Sequence, residues 1–261
     1  MKLPIYYVDA FTENLFSGNP AAVIFSDLND GPLMQNIAAE NNLSETAFIR
    51  KDEQKYYIRW FSPSCEIDLC GHATLASAFI FFNHINETED VFEVESTKNG
   101  TLKINKRGDY LYLDFPTDDF KENHDYEIVE KALGVKPVEL YKGRDDILAI
   151  FDNESDITNL DPNFDSFKEI PVRGLITSAP GNDCDFVSRC FFPSTGVNED
   201  PVTGSAHTTL TPYWSKRLGK KTLVANQLSK RGGILYCEDH GDRIFIGGKA
   251  VQYMRGEITT S

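Results

Sequence analysis

The chain has 261 residues, of which 41% are hydrophobic and 25% charged, a composition that suits one large or two ordinary globular domains. Its formal net charge is −14 and its pI about 4.8, with the acidic residues spread along the chain rather than gathered into a tail. Nucleic acid and anionic membrane both need a basic face, so they are excluded as broad partners, and the charge reads as a solvated surface.

The N-terminus, "MKLPIYYVDAF", has no long apolar core and no small-residue cleavage site. It reads as a first strand, not as a signal peptide. No apolar run approaches the ~18 residues that a spanning helix needs. There are five cysteines, Cys65, Cys70, Cys184, Cys190 and Cys237. An odd number without an export signal points to reduced thiols in a cytoplasm, most of them plain packing residues.

Strands are expected at "IYYVDAFT" and "AAVIFS", flanking the turn-rich "ENLFSGNP". In "DGPLMQNIAAENN", Asp30 can cap a helix, Pro32 suits its first turn, and Leu33, Ile37 and Ala38 give the apolar stripe. "ETAFIRK" and "KYYIRWFS" read as an antiparallel pair. "ATLASAFIFFNH" is apolar nearly all round, which predicts a helix buried on most sides. "VFEVEST", "GTLKINKR" and "YLYLDFP" read as a meander with turns at Asn99-Gly100 and Gly108-Asp109. "FPTDDFKENHD", residues 115 to 125, is polar and is the linker candidate.

In the second half, "DYEIVEKALG" predicts a short helix stopped by Gly134. Strands follow at "VELYKG", "DILAIFD", "GLITSAP" and "DFVSRCFFP", then a helix from near Gly204 to about Leu218. "GGILYCED" and "RIFIGGKAVQYMRGEI" read as a closing hairpin.

The two halves echo each other. "RWFSPS" occupies 59 to 64 and "RCFFPS" 189 to 194, so Arg59 and Arg189, Phe61 and Phe191, and Pro63 and Pro193 are each 130 residues apart (189 − 59). Each copy leads through a polar loop to a glycine turn and a helix, at Gly71 and at Gly204. Shared identity, order and following element indicate an internal pseudo-repeat, hence two similar domains.

A helix opening on such a turn offers unpaired N–H groups with partial positive charge, and glycine lets a ligand come close to the backbone. Two of these ends facing one cleft would hold a small carboxylate. Asp68, His72, Glu199, Asp200 and His207 lie in or beside the two motifs as proton-handling candidates. Glu45, in "NNLSETAF", reads on spacing alone as a solvated loop carboxylate. In a closed, partly apolar cleft its pKa would rise into the range that suits proton transfer.

Other chemistries find less support. Cys65, Cys70 and His72 have a C-x4-C-x-H spacing with no fourth ligand nearby, unlike the usual zinc patterns. His207 could be a second base, but a histidine in a helix's first turn more often caps or is solvated. "TGSAH" is not a nucleophile elbow, and neither a Walker-type lysine nor a dinucleotide glycine motif is present. Arg59 and Arg189 could clamp substrate or form structural ion pairs, and both options stay open here.

Together, "VDAFTENLFSGNPAAVI", "NNLSETAFI", "DLCGHATLASA" and "NEDPVTGSAH" resemble the PhzF-like phenazine-biosynthesis isomerases of the diaminopimelate-epimerase fold superfamily, over residues 5 to about 250. The resemblance implies an α/β (α+β) chain of two pseudo-repeat domains, taken as 1–116 and 117–261. Each would be a mostly antiparallel sheet rolled around a central helix, with the active site in the cleft between. It also implies a small carboxylate-bearing metabolite as partner, no cofactor, no metal and a homodimer. Carried over by position, the acid/base glutamate falls on Glu45, the cleft histidine on His72, and the aspartate on Asp200. The carboxylate-binding turn falls on Gly71, Gly204 and Ser205.

Racemases of the same superfamily use two cysteines. Here Cys70 stands at the first position and Thr203 at the second, too weak an acid for that role. The expected function is therefore a cofactor-independent isomerase that moves a proton between carbons. Two alternatives accompany it: a non-catalytic small-acid-binding or scaffold protein, and an epimerase pairing Glu45 with Cys70. Whether the last dozen residues pack on the first domain stays open.

Overall fold

A computed structural model of the chain describes residues 1–260. β1 (Lys2–Ala10) and β2 (Asn19–Phe25), both buried along most of their length, form an antiparallel pair. The connection between them is tight. Gly18 has φ +66°, and a Cβ there would lie 2.2 Å from the Ala10 carbonyl oxygen, so only glycine fits. Phe16 also has a positive φ, and its N–H donates to Asp9 Oδ2 at 2.9 Å.

α1 (Gly31–Asn41) starts where Asp30 accepts from the Leu33 N–H, and it ends at Asn42 in the left-handed region. Its buried Met34, Ile37 and Ala38 join Leu3, Ile5, Ile24, Phe48 and Phe61 in one apolar cluster. The helix is the crossover that lets β2 pair in parallel with β3 (Glu45–Asp52). β4 (Lys55–Phe61) then pairs antiparallel with β3 and carries the two-residue β5 (Glu66–Ile67). α2 (Gly71–Ile80), prolonged by a π-helical turn at Phe81–Ile85, is the second crossover. It leads to β6 (Val91–Ser96), parallel to β4, and on to the meander β7 (Gly100–Arg107) and β8 (Tyr110–Pro116).

As its composition predicted, α2 is buried nearly all round, against β1, β2, β3 and the C-terminal strand Ala250–Thr259. Its polar side chains are satisfied locally. The hydroxyls of Thr74 and Ser77 donate to the carbonyls of Cys70 and Ala73, four residues back.

The C-terminal strand pairs antiparallel along the whole of β1, so it belongs with the first unit. The chain divides into two compact units. One is Met1–Asp114 with the C-terminal segment that starts at Gly247; the other is Phe115–Ile246. The expected 117–261 domain, whose last dozen residues the sequence leaves open, ends at Ile246, because β1 presents a long strand edge to the residues that follow. The second arm of the expected closing hairpin is not one strand. "RIFIGGKAVQYMRGEI" is two strands, one ending at Gly248 and the next starting at Ala250.

Residues 115–125 are not a free linker. β9 (Lys121–Glu122) pairs with β10 (Glu139–Lys142). The Asp118 carboxylate accepts from the Thr209 hydroxyl at 2.9 Å and from the Arg144 N–H. α3 (Tyr126–Leu133) ends at Gly134 with φ +75°, and β10 pairs with β11 (Asp146–Ile150). The short α4 (Glu154–Thr158), which hydrophobic period did not reveal, precedes β12 (Gly174–Pro180), parallel to β11. β13 (Phe186–Phe192) pairs antiparallel with β12 and carries β14 (Val197–Asp200). α5 (His207–Leu218) then leads to β15 (Thr222–Gln227), parallel to β13, β16 (Gly233–Asp239) and β17 (Arg243–Gly248). Pro212 inside α5 has no N–H to give the Thr208 carbonyl, and that oxygen accepts instead from the Asp118 N–H at 3.2 Å.

Pairing order repeats between the units. β2, β3, β4, β5 and β6 are matched by β11, β12, β13, β14 and β15, with parallel joins at the same two steps. The pseudo-repeat seen at Arg59 and Arg189 is thus a repeat of topology. The folds agree with the expected α+β class of mostly antiparallel sheets with a buried helix in each half.

Candidate active site

Two elements of the first unit bring the predicted residues together. Glu45 is the first residue of β3, and Gly71 and His72 open α2, with Cys70 at its N-cap. Glu45 Oε2 lies 3.0 Å from His72 Nε2, with side-chain exposures of 16% and 6%. Glu45 is therefore largely withdrawn from water, not the solvated loop carboxylate that its spacing suggested. The contact is one of charges rather than an aligned hydrogen bond, and Oε2 is a buried oxygen with no hydrogen-bond partner in the protein.

Cys70 Sγ sits 3.5 Å from His72 Nδ1 and 3.9 Å from Nε2. Burial, reinforced by the Glu45 charge, pushes the thiol up to about 11, so it is protonated at neutral pH. For His72, burial opposes the proton, but the contacts with Cys70 and Glu45 outweigh it and hold the imidazole's pKa well above its usual value. With Cys70 a neutral thiol, the Glu45 carboxylate is the charge that keeps this proton in place. The sequence supplies Glu45 and His72 and, through the C-x-H spacing, Cys70 beside His72; it does not supply the approach of Glu45 to them.

Asp200, Gly204 and Ser205 belong to the second unit. Asp200 ends β14, and its Oδ2 accepts from the Thr203 hydroxyl at 2.6 Å. Gln227, which the sequence gave no reason to select, ties this turn down. Its Nε2 donates to the Asp200 carbonyl at 2.8 Å and its Oε1 accepts from the Thr203 N–H at 2.8 Å. The Gly204 and Ser205 carbonyls accept from the N–H groups of His207 and Thr208. Asp68, another candidate, is an exposed residue paired with Lys98.

Both arginines prove to be structural. Arg59 makes a two-pronged pair with Glu66, and Arg189 with Glu199, which removes Glu199 from the acid/base candidates. Each guanidinium lies 5.1 Å over the ring two residues on, Phe61 or Phe191.

His207 is neither solvated nor a cap. It is fully buried, its Nδ1 2.8 Å from the Thr203 carbonyl oxygen, and its Nε2 has no partner. Nδ1 therefore carries the proton, and a second proton on Nε2 would be an unpaired buried charge. Burial accordingly lowers its pKa to about 4. Because the folded value lies below the ordinary ~6.5, stability from this group is complete above pH 6.5. It is lost as pH falls towards 4, by roughly 3 kcal/mol in all. Urea denaturation at pH 7 and pH 4 should show a smaller acid loss in His207→Gln than in the parent. Equal losses would refute this assignment.

Among the described residues, no helix is long and apolar enough to cross a membrane. Residues 8–256 match the family model described as phenazine biosynthesis-like protein. An uncharacterized isomerase of Halalkalibacterium halodurans is 45% identical, with 99% of each chain covered. A crystal structure of a PhzF-family phenazine biosynthesis protein from Enterococcus faecalis superposes with a TM-score of 0.96 at 46% identity, covering all of both chains. A hydroxyproline epimerase from Agrobacterium vitis has a TM-score of 0.64 at 10% identity, covering 98% of this chain and 91% of its own, a likeness of fold alone. With motifs, topology and whole-chain similarity in agreement, the protein belongs to the PhzF family of phenazine biosynthesis-like proteins.

Proposed function

We propose that the protein is a cofactor-independent isomerase that takes a proton from one carbon of a small carboxylate-bearing metabolite and returns it to another, with Glu45 as the acid/base. The observation that carries this reading is the Glu45–His72 pair. It is a largely buried carboxylate whose Oε2 has only an ionic neighbour, 3.0 Å away, and no structural hydrogen bond. With no hydrogen bond of its own, that oxygen keeps a lone pair with which to accept a proton. His72 holds Glu45 in place and donates to a substrate oxygen that gains charge as the C–H bond breaks.

Asp200 is assigned to hydrogen-bonding the substrate, and the Gly71, Gly204 and Ser205 backbone to receiving its carboxylate. The similarity to relatives named as isomerases supports catalysis over a scaffold role. An epimerase pairing Glu45 with Cys70 is disfavoured by their placement: the two reactive atoms lie within 4.8 Å of each other, too close to stand on opposite faces of a substrate carbon. The protein is assigned to the cytoplasm, as a homodimer.

Proton exchange tests the reading. The protein is incubated in heavy water with a panel of small cyclic and amino carboxylic acids, and deuterium at carbon is followed by NMR. Uptake that vanishes in Glu45→Gln is expected. Uptake that persists in that variant, or depends instead on Cys70, would assign the chemistry to another group.

A further inference from the structure

We propose that Glu45, Cys70 and His72 form a binding site for a thiophilic divalent cation of the zinc class, and that this ion arrests proton transfer by occupying Glu45. The carboxylate oxygen, the thiol sulfur and an imidazole nitrogen all lie within 4.8 Å of one another. The edges from His72 Nε2 are 3.0 Å to Glu45 Oε2 and 3.9 Å to Cys70 Sγ. Tetrahedral zinc, with bonds of about 2.0 to 2.3 Å, needs ligand edges of about 3.3 to 3.6 Å. The Glu45–His72 edge falls just short of that range and the Cys70–His72 edge just beyond it, while the Glu45–Cys70 edge lies within 4.8 Å, so closing on an ion takes rotation of the side chains while β3 and α2 stay in place.

The ligand types select the ion. Sulfur and imidazole favour zinc and its neighbours over magnesium or calcium, which prefer all-oxygen sites. On binding, the Sγ–H bond breaks as the Sγ–metal bond forms, and His72 gives up any proton on Nε2. These protons leave to solvent and no electron changes hands. Thiolate and carboxylate then neutralise the two positive charges of the ion, so the buried site carries no net charge. The fourth position falls to water or to an anionic ligand, and three protein ligands with one open position make an exchangeable site rather than a structural staple. Cys65, which the sequence spacing brought into consideration, has no part in it. It is exposed, and its backbone and thiol contact Ser62.

Binding does not depend on the isomerase reading, but the arrest does, because it requires Glu45 to be the proton carrier. Reduced, metal-stripped protein is titrated with Co²⁺ and then Zn²⁺. One equivalent of cobalt should give the absorption of a four-coordinate ion with a thiolate-to-metal charge-transfer band, and zinc should abolish it. Cys70→Ser should remove the charge-transfer band and weaken zinc binding by about 10-fold or more. Cys65→Ser should change neither. Zinc should also shield Cys70 from alkylation, a readout on the parent protein that does not depend on a variant's folding. Absence of a thiolate band, or its survival in Cys70→Ser, would overturn the site. Zinc bound with carbon-proton exchange undiminished would overturn the arrest alone.

Discussion

Replacing Glu45 by glutamine is expected to lower turnover by about 10²–10⁴ or more while the fold survives. Glutamine keeps the length of the side chain and loses the ability to accept a proton from carbon. The fold survives because the substitution leaves no stranded charge. Burial already disfavours protonated His72, and once the carboxylate is gone the imidazole reverts to its neutral form. A buried ion pair becomes a neutral pair, which typically changes stability far less than removing one partner of a pair that cannot neutralise. The melting temperature should therefore stay within a few degrees of the parent, while exchange and turnover collapse. Circular dichroism melts and single-turnover assays measure the two separately. Substantial activity in this variant would sink the acid/base assignment. Loss of fold together with activity would show the pair to be structural.

The second large effect is on stability, and it separates two arginines that the sequence could not tell apart. Arg189→Leu should cost about 3–5 kcal/mol, whereas Arg59→Leu should cost about 1 kcal/mol or less. The Arg189–Glu199 pair has side-chain exposures of 13% and 22%. Its Nη1 also donates to the Ile157 and Leu160 carbonyls, at 3.2 and 2.8 Å. Removing it strands a carboxylate and two carbonyls that have little water to turn to. Arg59 has the same pairing geometry, but Glu66 is 42% exposed, and Nη1 finds only the sulfur of Met34 at 3.5 Å. Shifts of the urea midpoint measure both, and equal shifts would contradict the contrast.

These cases show where sequence reading reached and where it stopped. α1 was legible because Asp30, Pro32 and the Leu33–Ile37–Ala38 stripe are local signals, and they act locally in the fold. α2 was legible from its lack of a polar face. The repeat was legible because identical residues recur with a constant offset. α4 was not, because five residues are too few to show a period, and its Asn153–Asp156 capping box looks like any polar turn. The second-unit boundary near 246 stays open in the sequence because pairing of the C-terminal strand with β1 joins residues at opposite ends of the chain.

At the candidate site, residue types were readable one by one, but their environments were not. Glu45 looked solvated and is largely buried, and His207 looked exposed and is fully enclosed. Burial is set by what packs over a residue from other elements, and no neighbour in sequence reports that.

The duplication has one break in its symmetry that bears on stereochemistry. Phe48 pairs with Arg59 across β3 and β4, and Thr177 pairs with Arg189 across β12 and β13. Counting back three residues in each case, Glu45 at the start of β3 answers to Gly174 at the start of β12. At Gly174 even a Cβ would come within 2.2 Å of the Phe192 ring and 2.4 Å of the Phe191 carbonyl oxygen, so no acid can occupy that place. The frame was doubled and the carboxylate at this place was not. On the proposed role of Glu45 as the one group that collects and delivers, a hydrogen removed from one face of a substrate goes back to that same face. An isotopic label at the departing position would then ride along into the product whenever delivery outpaces wash-out to solvent.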